Sequence, residues 1–240
     1  MTPSPSIILI NPQLGENIGM VARAMLNCGL TDLRIVNPRD GWPSDRANAA
    51  SSGAFTSGVT PTLYTSTADA TKDLHFTLAT TARPRGMIKD VYTANGAMEQ
   101  AHQKITEKQN VGILFGAERT GLENEDIALA NAIITIPLNS EFWSLNLAQA
   151  VLLVSYEFHT QGDTTPSHQI HTGKTDIANS DTLNLFTTRM IDTLSSHDFF
   201  KSEEHRPTME RSLTNLFTRH EWTDQEIKTL HGIISAFIKK

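Results

Sequence analysis

Short apolar runs alternate with longer stretches of helical periodicity through the first two thirds of the chain. The runs are rich in Ile, Leu and Val, which is typical of strands that are buried on both faces. They cover residues 6–10, 33–36, 76–80, 111–115 and 132–136, with a weaker candidate at 60–64. Strands of this kind, separated by helices, predict an α/β fold with a mostly parallel sheet.

The helical stretches lie between these predicted strands. The first follows Asn17, which we expect to be its N-cap, and stops at Gly29. Its apolar residues recur along one face, and Arg23 lies off that face, so the guanidinium group is free to reach a partner. Further helices are predicted at residues 67–74, 96–108, 124–129 and from 145 onwards, with loop and short helix at 39–52.

The composition changes after Gln161. Residues 162–181 are polar, contain two Gly and one Pro, and show no apolar period, which predicts a linker. Three amphipathic stripes follow and predict a small helical C-terminal extension over residues 182–240. We therefore expect a main domain over residues 1–161, a linker, and this extension.

The junction between the last predicted strand and the long helix can be interpreted in two ways. Trp143, Ser144, Leu145 and Asn146 stand there in sequence. A hydroxyl and an amide at this point can cap the free N–H groups of the helix. The same position, between the carboxyl end of a strand and the amino end of a helix, also forms ligand sites in α/β folds. Taken alone, the residues favour the capping interpretation.

Composition limits the possible classes of protein. Hydrophobic residues make up 39% of the 240 residues and charged residues 19%, as in an ordinary soluble protein. No apolar run reaches the ~20 residues that span a bilayer, and the N-terminus has no basic region of a signal peptide. The single Cys28 excludes an internal disulfide and favours a cytoplasmic location. A net charge of −6 argues against a generally basic nucleic-acid binder but permits a local basic patch.

Several common catalytic motifs are missing. The loop Gly116–Gly121 has the glycine spacing of a P-loop, but Leu122 and Glu123 replace the phosphate-binding Lys and the Ser or Thr that follows it. The sequence contains neither a G-x-G-x-x-G nor a G-x-S-x-G motif. His168 and His171 lie in the predicted linker without cysteine or acidic partners at metal-binding spacing. We therefore expect no metal site, no nucleotide triphosphatase and no dinucleotide-binding enzyme.

The loop after the predicted strand at 76–80 reads Thr-Thr-Ala-Arg-Pro-Arg over residues 80–85. Two arginines at the carboxyl end of a strand can hold a phosphate group. A solvated loop without a ligand explains them equally well.

Three segments together resemble a known family. They are NPQLGENIGMVARAM, ILFGAERTGLENED and IPLNSEFWSLNLAQAV, in this order. They resemble the three motifs of the SPOUT class of TrmH-like RNA ribose 2′-O-methyltransferases, over roughly residues 6–161. The C-terminal stretch, with LFTRHEWTDQEIKTLHGII near its end, resembles the extension of the TrmJ subgroup.

This resemblance implies a fold, an activity and partners. The implied fold is an α/β sheet with a deep trefoil knot in its C-terminal part, joined to a small helical extension. The implied activity is methylation by S-adenosylmethionine of the ribose 2′-hydroxyl at position 32 of the tRNA anticodon loop, on cytidine, uridine or both. The family acts as a homodimer, in which the cofactor site of one protomer faces the first motif of the other, and we expect the long helix after residue 146 to carry much of the contact. Alternatives are an rRNA 2′-O-methyltransferase and a non-catalytic RNA-binding protein of the same fold.

The resemblance also implies roles for particular residues. Arg23 and Ser144 take the catalytic positions, and supporting positions fall on Asn17, Glu118 and Asn146. The implied cofactor-binding residues are Thr80, Thr81, Ala82, Gly116, Ile136, Trp143, Ser144 and Leu145. At position 143 close relatives commonly carry a residue smaller than Trp. At Gly116 we expect the absence of a side chain to let the backbone approach the cofactor closely.

Binding tRNA with a net charge of −6 requires a local cluster of cations. We predict that Arg23, Arg83, Arg85, Lys89 and Arg119 form it. The C-terminal extension is not a basic clamp, because residues 183–240 hold eight Lys or Arg and eight Asp or Glu. Because the pKa of an arginine lies above about 12, we expect Arg23 to clamp the adjacent phosphate and lower the pKa of the ribose hydroxyl, with Ser144 positioning that hydroxyl or passing on its proton.

Overall fold

The computed structural model describes residues 3–81 and 87–239. The chain divides into two compact units, Met1–Thr165 and Pro166–Lys240. Each has its own hydrophobic core and is described by itself.

Within the described residues, the first unit contains one seven-stranded sheet in the order β3-β2-β1-β6-β4-β7-β5. Every pairing between neighbouring strands is parallel, as the sequence predicts. The strands are β1 Ser6–Ile10, β2 Asp32–Val36, β3 Thr60–Tyr64, β4 Phe76–Thr80, β5 Asp90–Thr93, β6 Val111–Phe115 and β7 Ala132–Thr135.

Helices cover both faces of this sheet. They are α1 Gly15–Asn27, α2 Asp45–Ala50, α3 Thr67–Thr71, α4 Ala94–Thr106, α5 Asn124–Ala128 and α6 Leu147–Gly162. Consecutive residues of β1 point to opposite faces. Ile7 and Leu9 therefore join a core with α1, α2, α4 and α6, while Ile8 and Ile10 join a second core with α3 and α5. Burial on both faces explains why the central strands are continuous apolar runs.

Strand β5 is absent from the sequence prediction. Its residues read Asp-Val-Tyr-Thr, and among the described strands it pairs only with β7, at the edge of the sheet. An edge strand is not covered on both sides, so it needs no continuous apolar run. The signal that identified the central strands is therefore weak here.

The start of α1 corrects one prediction. The helix begins at Gly15, and Asn17 lies buried inside its first turn instead of serving as the N-cap. Leu14 occupies the N-cap position and makes no side-chain capping bond. By contrast, Asn146 caps α6, with its side chain accepting from Ala148 N at 2.9 Å, so the capping interpretation is confirmed for that residue.

The second unit consists of α7 Ser180–Ser196, α8 Arg206–Thr218 and α9 Asp224–Ile238, within the described residues. These helices match the three predicted apolar stripes. They share a core of Phe186, Phe217, Ile227 and Ile234. A backbone hydrogen bond from Ala178 N to Trp222 O ties the segment before α7 to the segment before α9.

In the part of the chain that the structure describes, no helix is long and apolar enough to cross a membrane. Nor do its His, Cys, Asp and Glu side chains form a group of three or more that could hold a metal ion.

Candidate functional site

A cavity of about 230 Å³ opens at the carboxyl ends of β4, β6 and β7. These three strands are neighbours in the sheet although they are far apart in sequence. The loops that follow them therefore converge on one place, which is where parallel α/β folds bind ligands. Its walls combine apolar side chains with loop backbone, and they include Phe115, Ile134, Leu138, Leu147 and Ala150.

The structure brings together most of the residues that the sequence assigned to a cofactor. Of the described residues in that set, Thr80, Thr81, Gly116, Ile136, Trp143, Ser144 and Leu145 all line the cavity. Ala82 lies outside the described residues. Glu118 and Arg119 line the same cavity. The three motif segments thus meet in space, while the roles of the single residues remain predictions.

Thr80 holds two strands together beside the cavity. Its hydroxyl donates to the carbonyl oxygen of Leu114, on β6, at 2.8 Å. The next residue, Thr81, donates its backbone N–H to the carbonyl oxygen of Ile134 at 3.1 Å. The loop after β4 is therefore anchored to both neighbouring strands.

Gly116 is required by the loop itself. A Cβ atom at this position would lie 2.0 Å from the carbonyl carbon of Gly121 and 2.1 Å from the nitrogen of Leu122. The loop closes through a hydrogen bond of 2.8 Å from Gly121 N to Ala117 O, and Gly121 has a φ of +72°. Since any side chain at 116 would collide with this returning backbone, the structure gives the glycine a different reason from the predicted approach to a cofactor.

Glu118 connects the cavity to the start of α1. Its carboxylate accepts hydrogen bonds from Gln13 N at 2.8 Å, Leu14 N at 3.3 Å and Asn17 Nδ2 at 2.7 Å. A carboxylate at the amino end of a helix satisfies free N–H groups and interacts favourably with the helix dipole. Glu118 therefore holds the segment just before α1 and the side chain of Asn17, although it lies about one hundred positions away in sequence.

Asn17 and Asn146 complete this connection. Asn146 Nδ2 donates to Asn17 Oδ1 at 3.0 Å, and Asn17 in turn donates to Glu118. We call Asn17, Glu118 and Asn146 the motif bridge. It joins one residue from each of the three motif segments, so the supporting residues hold the three loops in register.

Ser144 has no such role in the fold. It is exposed on the cavity wall, and among the described residues its hydroxyl makes no hydrogen bond. Arg119 is likewise exposed on the cavity wall, without an ion pair or hydrogen bond from its guanidinium group to the part of the chain described. Both side chains are available to a ligand.

Arg23 lies outside the wall of this cavity. It is exposed on α1, and its Nη1 donates to Ser52 Oγ at 3.2 Å. Ser52 follows α2 with a φ of +49°. Helix α2 approaches α1 so closely that a Cβ atom at Gly19 would lie 2.2 Å from the carbonyl oxygen of Ala47. The contact from Ser52 to Arg23 is absent from the sequence prediction. Gly19, one turn before Arg23, is a sequence signal of the close approach between the two helices.

The cations predicted to bind RNA have different surroundings in the structure. Lys89 donates to the carbonyl oxygens of Ala128, at 3.3 Å, and Ala130, so its ammonium group closes the carboxyl end of α5. A cation at this end of a helix is favoured by the helix dipole. Arg119 faces the cavity, and Arg83 and Arg85 lie outside the described residues. Within the described part, Arg119 and Arg23 are the predicted RNA contacts with an exposed side chain.

Comparison with known proteins identifies the family to which the chain belongs. A model of the SpoU rRNA Methylase family matches residues 4–156, which include the whole cavity and all three motif segments. The chain belongs to this family. The resemblance that the three motifs carry is therefore confirmed.

Similar proteins extend the match to the C-terminal helices. The tRNA (cytidine/uridine-2′-O-)-methyltransferase TrmJ of Photorhabdus laumondii is 33% identical over 237 residues, which cover 97% of this chain and 96% of that protein. The crystal structure of TrmJ from Z. mobilis ZM4 has a TM-score of 0.85 and 44% identity, over 98% of this chain and 99% of that one. The predicted SPOUT-type α/β fold with a helical extension is confirmed by this similarity.

A more distant structure shares the fold alone. It is the SpoU methyltransferase AviRb from Streptomyces viridochromogenes in complex with the cofactor AdoMet, with 19% identity and a TM-score of 0.54. It covers 68% of this chain, and this chain covers 62% of it.

Proposed function

We propose that this protein transfers a methyl group from S-adenosylmethionine to the ribose 2′-hydroxyl of a tRNA nucleotide. The proposed target is cytidine or uridine at position 32 of the anticodon loop. The observation that carries this proposal is the similarity to TrmJ proteins over nearly the whole chain, including the C-terminal helices. A match to the first unit alone would support only the family.

The cavity fits the proposed cofactor. Phe115, Ile134 and Ile136 supply apolar walls for a purine ring, and the turns after β4, β6 and β7 present backbone polar groups around it. The residues proposed to hold the cofactor are Thr80, Thr81, Ala82, Gly116, Ile136, Trp143, Ser144 and Leu145. When bound, S-adenosylmethionine would supply a methyl group on a positively charged sulfur, and the thioether S-adenosylhomocysteine would be the leaving group, which needs no metal to activate it.

The catalytic work of the protein is then orientation and control of one proton. The 2′-hydroxyl must be aligned for attack, and its proton must leave as the new bond forms. The exposed hydroxyl of Ser144 positions this group at the cavity wall. Arg23 binds the adjacent phosphate and lowers the pKa of the hydroxyl through its positive charge, because a guanidinium group does not lose its own proton near neutral pH.

Arg23 reaches the reaction from a second copy of the chain in this proposal. It lies outside the cavity wall of its own chain. Helices α1 and α6 pack together, and they expose Met20, Leu152, Leu153 and Tyr156. A row of exposed apolar side chains on packed helices is typical of an interface between subunits. A homodimer built on this face would bring the Arg23 of one protomer to the cavity of the other.

The RNA contacts follow from charge. Arg119 and Arg23 are proposed to bind phosphates, together with Arg83 and Arg85. For Lys89 the bonds at the end of α5 compete with an RNA contact. Binding through phosphates should weaken steeply as salt rises, and a flat salt response would contradict this part of the proposal.

The deciding experiment is transfer of a tritiated methyl group from S-adenosylmethionine to bulk tRNA and, separately, to rRNA. Digestion to nucleosides then maps the label. We expect 2′-O-methylcytidine or 2′-O-methyluridine from position 32 of tRNA. Label in rRNA and not in tRNA would show that the substrate is rRNA. Binding of RNA without any transfer would favour the non-catalytic alternative.

A further inference from the structure

The loop between β7 and α6 carries two consecutive exposed aromatic residues, Phe142 and Trp143, of which Trp143 lines the cavity. Trp143 lines the cavity and is 46% exposed, and Phe142 beside it is 75% exposed. A turn holds this part of the loop, because Glu141 N donates to Asn139 Oδ1 and Phe142 N to Asn139 O, both at 3.0 Å. Phe142 therefore ends a defined turn, and Trp143 follows it directly on the cavity wall.

Exposure of two adjacent aromatic side chains to water is unfavourable, and a binding role would explain why it is kept. Phe is among the residues most often fully buried, and adjacent exposed apolar side chains at a cavity mark a binding site. Leu138, also exposed, continues the apolar surface on the same cavity wall. The same cavity carries the exposed guanidinium group of Arg119.

Aromatic rings beside a cation have a characteristic ligand. Bases of single-stranded RNA loops stack on aromatic side chains while cations bind the phosphates that connect them. A nucleotide offers both groups at once. The neighbouring residue Ser144 is the one proposed to face the reacting ribose, so a base next to that ribose lies within reach of this loop.

We propose that Phe142 and Trp143 form an aromatic rim on which a nucleobase of the RNA substrate stacks when the target ribose enters the cavity. This inference rests on the proposed function and adds a base-binding subsite to it. The purine ring of the cofactor is the other source of the same chemistry, and the experiment separates the two.

The test measures KM for tRNA, affinity for S-adenosylhomocysteine without RNA, and molecular mass in solution. Phe142→Ala and Trp143→Ala should each raise KM for tRNA about tenfold, the scale expected for loss of one stacking contact. In Phe142→Ala, the affinity for S-adenosylhomocysteine and the molecular mass should stay unchanged. Trp143 is also proposed to hold the cofactor, so its variant is judged by KM for tRNA and by the mass. Phe142 is so exposed that its removal leaves the folding of the protein intact, which keeps the test valid if the Trp143 variant is unstable.

Matched variants test whether loss of the aromatic ring causes the rise in KM for tRNA. Phe142→Tyr and Trp143→Phe should keep KM near the wild-type value, whereas Phe142→Leu, apolar without a π face, should behave like the alanine variant. Leu63→Ala removes a side chain of 51% exposure on β3, and four strands separate β3 from β7. This control should leave KM unchanged.

Salt dependence distinguishes stacking from charge. The slope of log affinity against log salt should be the same in wild type and rim variants, because stacking releases no counterions. In Arg119→Ala it should become shallower by about 0.7, the value for one phosphate of a single strand.

Three outcomes would overturn the rim. KM for tRNA that is unchanged in both alanine variants would show that no base stacks there. A parallel loss of S-adenosylhomocysteine affinity in Phe142→Ala would assign the rim to the cofactor, and a loss of dimer mass would assign it to a second copy of the chain. If the wild-type protein itself fails to methylate tRNA, the proposed function has failed, which is a result distinct from these three.

Discussion

Two groups of polar residues come from the same motif segments and end in opposite situations. The motif bridge of Asn17, Glu118 and Asn146 is bonded internally and to backbone groups at both helix starts. Arg119 is the direct neighbour of Glu118, and Ser144 lies two positions before Asn146, yet both face the cavity without partners in the described part of the chain. The comparison teaches that motif residues divide into those that hold the loops together and those left for chemistry.

The largest effect should come from the residue proposed to act on the RNA from α1. Arg23→Ala should lower kcat about 100- to 1000-fold, the scale of losing one charged group that stabilises the transition state. The affinity for S-adenosylmethionine, measured by calorimetry, should stay unchanged. Arg39→Ala, which removes an exposed arginine paired with Asp40, serves as the control. A guanidinium group can bind a phosphate through two N–H groups at once, whereas a lysine cannot. Near wild-type activity in Arg23→Lys would therefore refute a phosphate clamp of this kind.

Substitutions in the motif bridge should mainly lower the stability of the fold. Glu118→Ala leaves the N–H groups of Gln13 and Asn17 without their acceptor, which should lower the free energy of unfolding by about 1–3 kcal/mol. Thermal unfolding of the full chain measures this change. Glu118→Gln keeps one acceptor oxygen and should recover part of the loss. Glu125→Ala removes an exposed acid from α5 and should leave the melting temperature unchanged; an equal drop there would show that the bridge is not special.

Ser144 should show the reverse pattern. Ser144→Ala should lower kcat about 100-fold, the lower end of the range for a residue that assists proton transfer. Because the hydroxyl bonds to nothing in the described structure, the melting temperature should not fall. A stability loss comparable to that of Glu118→Ala would remove the distinction between the two groups.

The smallest effect should come from Ser52, which holds Arg23 from outside the motifs. Ser52→Ala removes one exposed hydrogen bond and should lower kcat by several-fold, since such a bond contributes about 1 kcal/mol. KM for S-adenosylmethionine should not change. Ser52→Asn keeps a polar group and tolerates the left-handed backbone, so it should restore activity. Identical kcat values for all three proteins would show that Arg23 needs no positioning from α2.

Local patterns predicted much of the architecture. Apolar runs identified the central strands, and the Asn146 cap could be recognised before the structure because capping involves neighbours in sequence. Strand β5 escaped detection because an edge strand needs no apolar run. Lys89 was assigned to the RNA, and only the structure shows that its ammonium group meets the end of α5. Asn17 was mistaken for a cap because α1 begins earlier, at Gly15, and the side chain of Asn17 bonds Glu118 and Asn146, which are distant in sequence.

The sequence by itself determined the alternation of strands and helices, the parallel sheet and the position of the motif loops at strand ends. These follow from periodicity and burial, which are written into neighbouring residues. The tertiary structure alone decided which motif residues are bonded within the fold and which face the cavity. The partners in the motif bridge are 101 and 129 positions apart, so their pairing exists only once the sheet arranges β1, β6, β4 and β7 in this order with their loops at one edge.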